Sequence, residues 1–276
     1  MPSRRRLLAK ILGVFTRVFP RCSVVSQAIA FNVFLAFFPT LLMTVGLGSS
    51  WIGTRAALVD TIRDFTRFLP PGSQGIVAEF LTKRGPEVWK FAVLGWVGSL
   101  VGGTQVMKLL MDGIHQIYGD QEKLGFFHRQ FRGLLLLLIT VAPILVAGIL
   151  GVFGRPLRHW VVGIVGKHAL VDGVWVVFFP LVAMILAMLA LAVIYWVARP
   201  NKEEKLANVL PGAVAATLMW WVVNAVFGLY VRRVSYSMLY GGLAAVIGLL
   251  IWMQISAVIV LLGAAWNAEE AAYRGN

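Results

Sequence analysis

Side chains able to do chemistry are few in this chain and widely spaced. The histidines are His115, His128, His159 and His168, and neither the first pair nor the second has metal-ligand spacing on one helical face. Metal-dependent hydrolysis needs carboxylates or imidazoles gathered closely enough to hold an ion. No GxxxxGK[ST], HExxH, CxxC or GxSxG motif occurs. The histidines therefore read as interfacial residues. No catalytic residue, metal ion or cofactor is expected, and the chain is expected not to be an enzyme. Its one cysteine, Cys22, has no partner for an internal disulfide.

Ionisable residues inside a membrane are the default pointer to a transport path, and here they are almost lacking. Lys108 and Asp112 lie four apart on one helical face, a spacing that permits an ion pair. They are a candidate gate pair, with structural pairing as the plainer reading. Uncharged amides remain: Asn32, Gln105, Asn224 and Gln254. Interhelical hydrogen bonding, at about 0.6 to 2 kcal/mol each, explains such residues without a ligand. Convergence on a shared polar cavity is the sharper reading. Arg129, Arg132, Arg155, Arg158, Arg232 and Arg233 fringe the apolar runs and are candidate contacts for lipid headgroups, with interfacial anchoring as the alternative.

The elements that must position these residues follow from composition. Of 276 residues, 59% are hydrophobic and 13% charged, and the mean hydropathy is +0.81. Soluble domains carry about 25% charged residues, so a polytopic membrane protein is indicated. The net charge of +13 sits in short loops between apolar runs, which points to membrane topology instead of nucleic acid. About 20 apolar residues span a bilayer as a helix. That spacing predicts an all-α fold of six spans, at about 26–52, 88–112, 133–153, 172–197, 206–231 and 240–268. The last is the longest charge-free run, with no charged side chain between Arg233 and Glu269. In it Gly241, Gly242, Gly248 and Gly263 are read as leaving room for close helix contact. Gly98, Gly102 and Gly103 suit either an intramolecular contact or a dimer face. Pro39, Pro143 and Pro180 each free a backbone carbonyl within a span.

Residues 1–25 carry six basic residues, with Leu7, Leu8, Ile11, Leu12, Phe15, Val18 and Phe19 among them at helical spacing. This predicts a basic amphipathic helix on the membrane surface, followed by a transmembrane domain over 26–270. An outer loop, 54–86, is expected to hold two further surface helices. With the N-terminus inside, thirteen Lys and Arg residues fall on the inner side and ten on the outer. The N-terminal cluster weighs most, so both termini are expected in the cytoplasm. FFPxxxM recurs at Phe37–Met43 and Phe178–Met184, a faint repetition read as coincidence.

Two stretches carry a resemblance. One is AIAFNVFLAFFPTLL, from Ala28. The other runs from LPGAVAATLMWW, at Leu210, to LLIWMQISAVIVLLGAAWNAE, ending at Glu269. Together they resemble the YihY/BrkB family of bacterial inner-membrane proteins, formerly labelled ribonuclease BN. The matching residues are Phe31, Pro39, Leu210, Pro211, Gly212, Ala213, Tyr240, Gly241, Trp252, Ser256, Leu262, Gly263, Ala264, Asn267 and Ala268. Ala265 stands where the family has an acidic residue, so this chain either lacks that carboxylate or uses Glu269 or Glu270 instead. The resemblance implies six spans and inner-membrane residence, and no settled activity. The ribonuclease label finds no chemical support in the residues.

Charge-free spans tolerate acyl chains, and basic residues at both membrane faces suit phosphate headgroups. The leading expectation is a transporter or flippase-like protein for an amphipathic, lipidic envelope molecule. A non-transporting scaffold in envelope maintenance is the alternative. Membrane lipids are the expected partners and a homo-oligomer is compatible with the glycine face. The amides discriminate the two: convergence on a hollow favours transport, and pairing in a dry core favours a scaffold.

Overall fold

The computed structural model describes residues 2–19, 22–50, 86–120, 125–143, 169–199, 205–233 and 243–275. Every regular element among them is helical. The helices are α1 (Pro2–Val18), α2 (Ser23–Ser50), α3 (Pro86–Tyr118), α4 (126–143), α5 (Ala169–Ala198), α6 (Leu210–Arg233) and α7 (Leu243–Gly275), with a 3-10 turn at Leu206–Val209 before α6. Four segments are long and apolar enough to cross a bilayer: Ser23–Thr40, Val93–Tyr118, Leu206–Leu229 and Val246–Arg274. Met184–Ala198, within α5, is a shorter apolar stretch. A third span at 133–153 is helical as far as 143 and then leaves the described residues, as does the whole predicted outer loop up to residue 85. Large apolar side chains such as Phe31, Val93, Val101, Leu218 and Val222 stand exposed on these helices. Lipid, which takes apolar side chains at no loss, accounts for an outer surface of that kind.

The chain divides into two units, and α3, α6 and α7 each contribute to both. One unit comprises Ser23–Leu110 and Trp221–Val258. Here α3 lays a glycine edge on α2. A Cβ at Gly95 would lie 2.7 Å from the Pro39 carbonyl oxygen, one at Gly98 2.8 Å from the Pro39 ring, and one at Gly102 2.8 Å from the Ala36 Cβ. These steps of three and four residues mark one helical face. Of the two uses expected for the Gly98 and Gly102 face, the intramolecular one is therefore taken. Thr40 and Ser99 hydroxyls share a 3.0 Å hydrogen bond across the same seam. Gly248, in contrast, meets nothing within 4 Å.

The other unit comprises Met1–Cys22, Met111–Trp220 and Ile259–Asn276. Its core holds Ile114, Leu136, Tyr195, Ala213, Ala216, Leu261 and Ala265. Small residues on α6 and α7 let these helices approach: Gly212 and Gly263 each stand against the other's backbone. Helix α3 ends at Gly119, whose φ of 75° is the left-handed conformation a glycine adopts most easily. Gly119 N–H donates to Gln116 O and Asp120 N–H to His115 O, the paired bonds of a Schellman cap. Pro211 sits in the first turn of α6, where its missing N–H leaves no bond unmade.

Candidate functional site

Within the unit that joins α1, α4 and α5 to parts of α3, α6 and α7, polar contacts gather around the end of α7. Asn267, buried, accepts from Gly212 N–H at 2.7 Å and donates to Val209 O at 3.0 Å. One side-chain amide thus satisfies a free N–H at the start of α6 and a carbonyl of the turn before it. Tyr195 of α5, also buried, donates its hydroxyl proton to Val260 O at 2.7 Å and packs on Gly263. Two motif pieces far apart in sequence, LPGA at Leu210 and GAAWNAE at Gly263, are therefore one contact. Ala265 is fully buried in it. A carboxylate there would be desolvated, whereas Glu269, one turn on, is partly exposed and paired.

The first helix completes this end. Arg17 Nε donates to Glu269 Oε1 at 2.7 Å, and its Nη1 donates to Ile117 O, in the last turn of α3, at 3.2 Å. Lys10 pairs with Glu270, which Arg274 also approaches at 3.6 Å. The Lys10 ammonium lies 4.3 Å from the Trp266 ring centroid, within cation–π range. Gly13 of α1 sits against the Glu269 carboxylate, where a Cβ would approach to 2.7 Å. Sequence reading placed α1 on the membrane surface as a basic amphipathic helix and gave its cations no protein partner. In the structure Lys10 and Arg17 face protein carboxylates. Their separation of seven residues, two helical turns, was the signal available.

A second cluster ties α4 to its neighbours. Arg129 pairs with Asp112 of α3, and Arg132 Nη2 donates to Val197 O, near the end of α5, at 3.3 Å. A cation at a helix C-terminus meets the negative end of its dipole. Asp112 of the candidate gate pair thus receives Arg129, while Lys108 is half-buried. His115, one turn from Asp112, is buried, as is Arg199 just beyond α5, while His128 is exposed. Neither the burial of His115 nor that of Arg199 was visible in the sequence. Arg155, Arg158, His159 and His168 lie outside the described residues, as do the side chains of Arg232 and Arg233.

The four amides belong to the other unit and take separate partners. Asn32 donates to Ala28 O of its own helix at 2.8 Å. Asn224 accepts from Trp252 Nε1 at 2.7 Å, and Gln254 donates to Ser26 Oγ at 3.0 Å. Gln105 is half-buried on α3. Among the described residues no group of three or more His, Cys, Asp or Glu side chains gathers as metal ligands would.

Fold and contacts together define an all-α membrane protein of several spans, with Lys10, Arg17, Arg132 and Asn267 among the described residues joining helix ends. The chain belongs to the BrkB family: the family model described as Virulence factor BrkB matches residues 19–276. It is similar to the ribonuclease-like protein YfkH of Bacillus subtilis, with 27% identity over 88% of each chain. It is also similar to UPF0761 membrane proteins of Aromatoleum aromaticum, at 26% identity over 97% of this chain, and of Xanthomonas oryzae pv. oryzae, at 27% over 90%. The chain spans 64% and 57% of those two UPF0761 relatives. No solved structure matches it.

Proposed function

We propose that this protein is a transporter or flippase-like protein for an amphipathic, lipidic molecule of the bacterial envelope. It resides in the inner membrane with both termini in the cytoplasm. The observation that carries the reading is the division of α4. Arg129 and Arg132 share one face, above buried Leu136, and bind α3 and α5. Phe127, Phe131, Leu135 and Leu138 are exposed on the other. Phosphate is bound by guanidinium groups through paired, charge-assisted hydrogen bonds. Arg129 would exchange Asp112 for the headgroup, Arg132 would exchange a carbonyl, and the acyl chains would lie along the exposed apolar stripe. Asp112 returns as the counter-ion once the headgroup leaves.

Support for the orientation comes from α1 and α7. The helix before the first span is ion-paired to the C-terminal end of the Val246–Arg274 segment, which favours both termini on one side. The thirteen-to-ten split of Lys and Arg favours the cytoplasm as that side.

Purified protein in liposomes carrying a fluorescent phospholipid tests the reading. The wild type is expected to translocate the probe, and Arg129→Ala/Arg132→Ala to do so about tenfold or more slowly, as loss of charge-assisted bonds worth about 1.5–3 kcal/mol implies. Failure of the wild type to move any envelope lipid ends it. A scaffold is the second reading, favoured by the separate partners of Asn32, Asn224 and Gln254. The name of YfkH suggests hydrolysis of RNA. For this chain the expected outcome is no RNA cleavage by the purified protein in the presence of divalent cations.

A further inference from the structure

Lys10 and Arg17 are seven residues apart on α1, about 10.5 Å along its axis. Their acceptors, Glu270 and Glu269, are adjacent on α7. Helices lying side by side would match a seven-residue step with a similar one. Gly13, midway between the two cations, touches the Glu269 carboxylate, so the crossing point is at Gly13, with one cation reaching in from each side. Arg17 also extends to Ile117 at the end of α3. Thus α1 runs across the end of α7, not along it. Because α7 crosses the membrane, a helix laid across its end lies in the membrane plane.

The depth is set by the same contacts. The charge-free run of α7 ends at Ala268, and the clasp is made at the next two residues, Glu269 and Glu270. Trp266, the ring beneath Lys10, is a residue type that settles at the membrane–water boundary. At this level α1 turns outward Leu12, Phe15 and Phe19, which are 65%, 49% and 43% exposed. Val14 and Val18, on the clasp side, are buried. Lys10 and Arg17 thus point into the protein, while Leu12, Phe15 and Phe19 point away from it. An acidic partner, or anionic headgroups, held through Lys10 and Arg17 would require the opposite arrangement.

We propose that α1 is a hydrophobic wedge: its Leu12–Phe15–Phe19 face enters the acyl-chain boundary of the leaflet on the terminal side, and the Glu269–Glu270 clasp holds it there. The occupant of this face is the bilayer itself, whatever the charge of its headgroups. The proposal stands on the membrane location and is independent of transport.

The test uses the full chain with an environment-sensitive nitrobenzoxadiazole label at Phe15→Cys, in a Cys22→Ala background. Should Cys22→Ala not fold, the native background serves, since Cys22 is buried. The protein is placed in vesicles of phosphatidylcholine alone or mixed with phosphatidylglycerol. Spin-labelled lipid is expected to quench the label equally in both, and aqueous iodide to leave it unaffected. With Glu269→Gln/Glu270→Gln, lipid quenching is expected to fall in neutral vesicles and to return with phosphatidylglycerol, because the freed cations then seek headgroups. Iodide quenching of the unaltered clasp in neutral vesicles would overturn the proposal. So would Phe15→Cys disulfide cross-links between two chains with protection from spin-labelled lipid, which would assign the face to a second copy. Unchanged quenching in the clasp variant would also overturn it, since the carboxylates would then not hold the helix.

Discussion

Asn267 joins α6 to α7 through both ends of its amide. Replacing it with alanine leaves the Gly212 N–H and the Val209 carbonyl without their side-chain partner. Asn267→Ala is therefore expected to destabilise the protein by about 1–3 kcal/mol, read as a lowered melting temperature in detergent. Gly212 faces a backbone oxygen that cannot yield, so Gly212→Ala is expected to destabilise by about 1–3 kcal/mol through forced separation of α6 from α7. Gly228, on the same helix, meets nothing within 4 Å. Gly228→Ala is expected to be neutral or stabilising by up to about 1 kcal/mol, since alanine restricts the unfolded chain. Gly13 tests crowding of another kind. Its close neighbour is the mobile tip of Glu269, so Gly13→Ala should loosen the Arg17 bond with less loss than Gly212→Ala.

At the scale of elements, α1 and α4 show the same logic with charges of opposite fate. Arg17 of α1 and Arg129 and Arg132 of α4 reach partners on neighbouring helices, while aromatic side chains stand exposed: Phe15 on α1 with Phe19 just after it, Phe127 and Phe131 on α4. The α1 clasp is partly shielded, with side-chain exposures of 31% for Arg17 and 15% for Glu269, whereas Arg129 and Asp112 are 45% and 40% exposed. Screening by water weakens the second pair. A double-mutant cycle on Asp112 and Arg129 is expected to return a coupling of about 0.2–1 kcal/mol, small enough for a headgroup phosphate to compete. The same cycle on Arg17 and Glu269 should return a larger coupling, because Arg17 also ties α1 to Ile117. Chemical denaturation of single and double variants measures both.

Across the whole molecule, sole Cys22 offers a probe of integrity. It is fully buried and its thiol lies 3.9 Å from the Gly113 carbonyl. Folded protein is expected to resist a maleimide reagent, and protein denatured in dodecyl sulfate to take up one equivalent. The rate of labelling reports opening of Cys22 from the end of α3, to which Arg17 also ties α1, so Glu269→Gln is expected to speed it. Engineered cysteines near the two ends would report sidedness in whole cells, with both expected to be shielded from outside reagent.

Hydropathy by itself determined that the chain is helical and built for lipid, because the number of apolar residues needed to cross a bilayer is set by the rise of the helix and the thickness of hydrocarbon. Spacing also showed that α1 is amphipathic and that α3 carries a glycine edge. Which neighbour each face meets was decided only in three dimensions. Lys10 and Arg17 look alike whether they face headgroups or Glu269 and Glu270, since a carboxylate more than 250 residues away leaves no trace in local periodicity. Asn32, Asn224 and Gln254 look alike whether they line a hollow or take a nearby carbonyl, indole or hydroxyl. Leu210–Ala213 and Gly263–Glu269 were legible as two motifs. Their union through Asn267 depends on backbones approaching closely, and that distance is a property of packing.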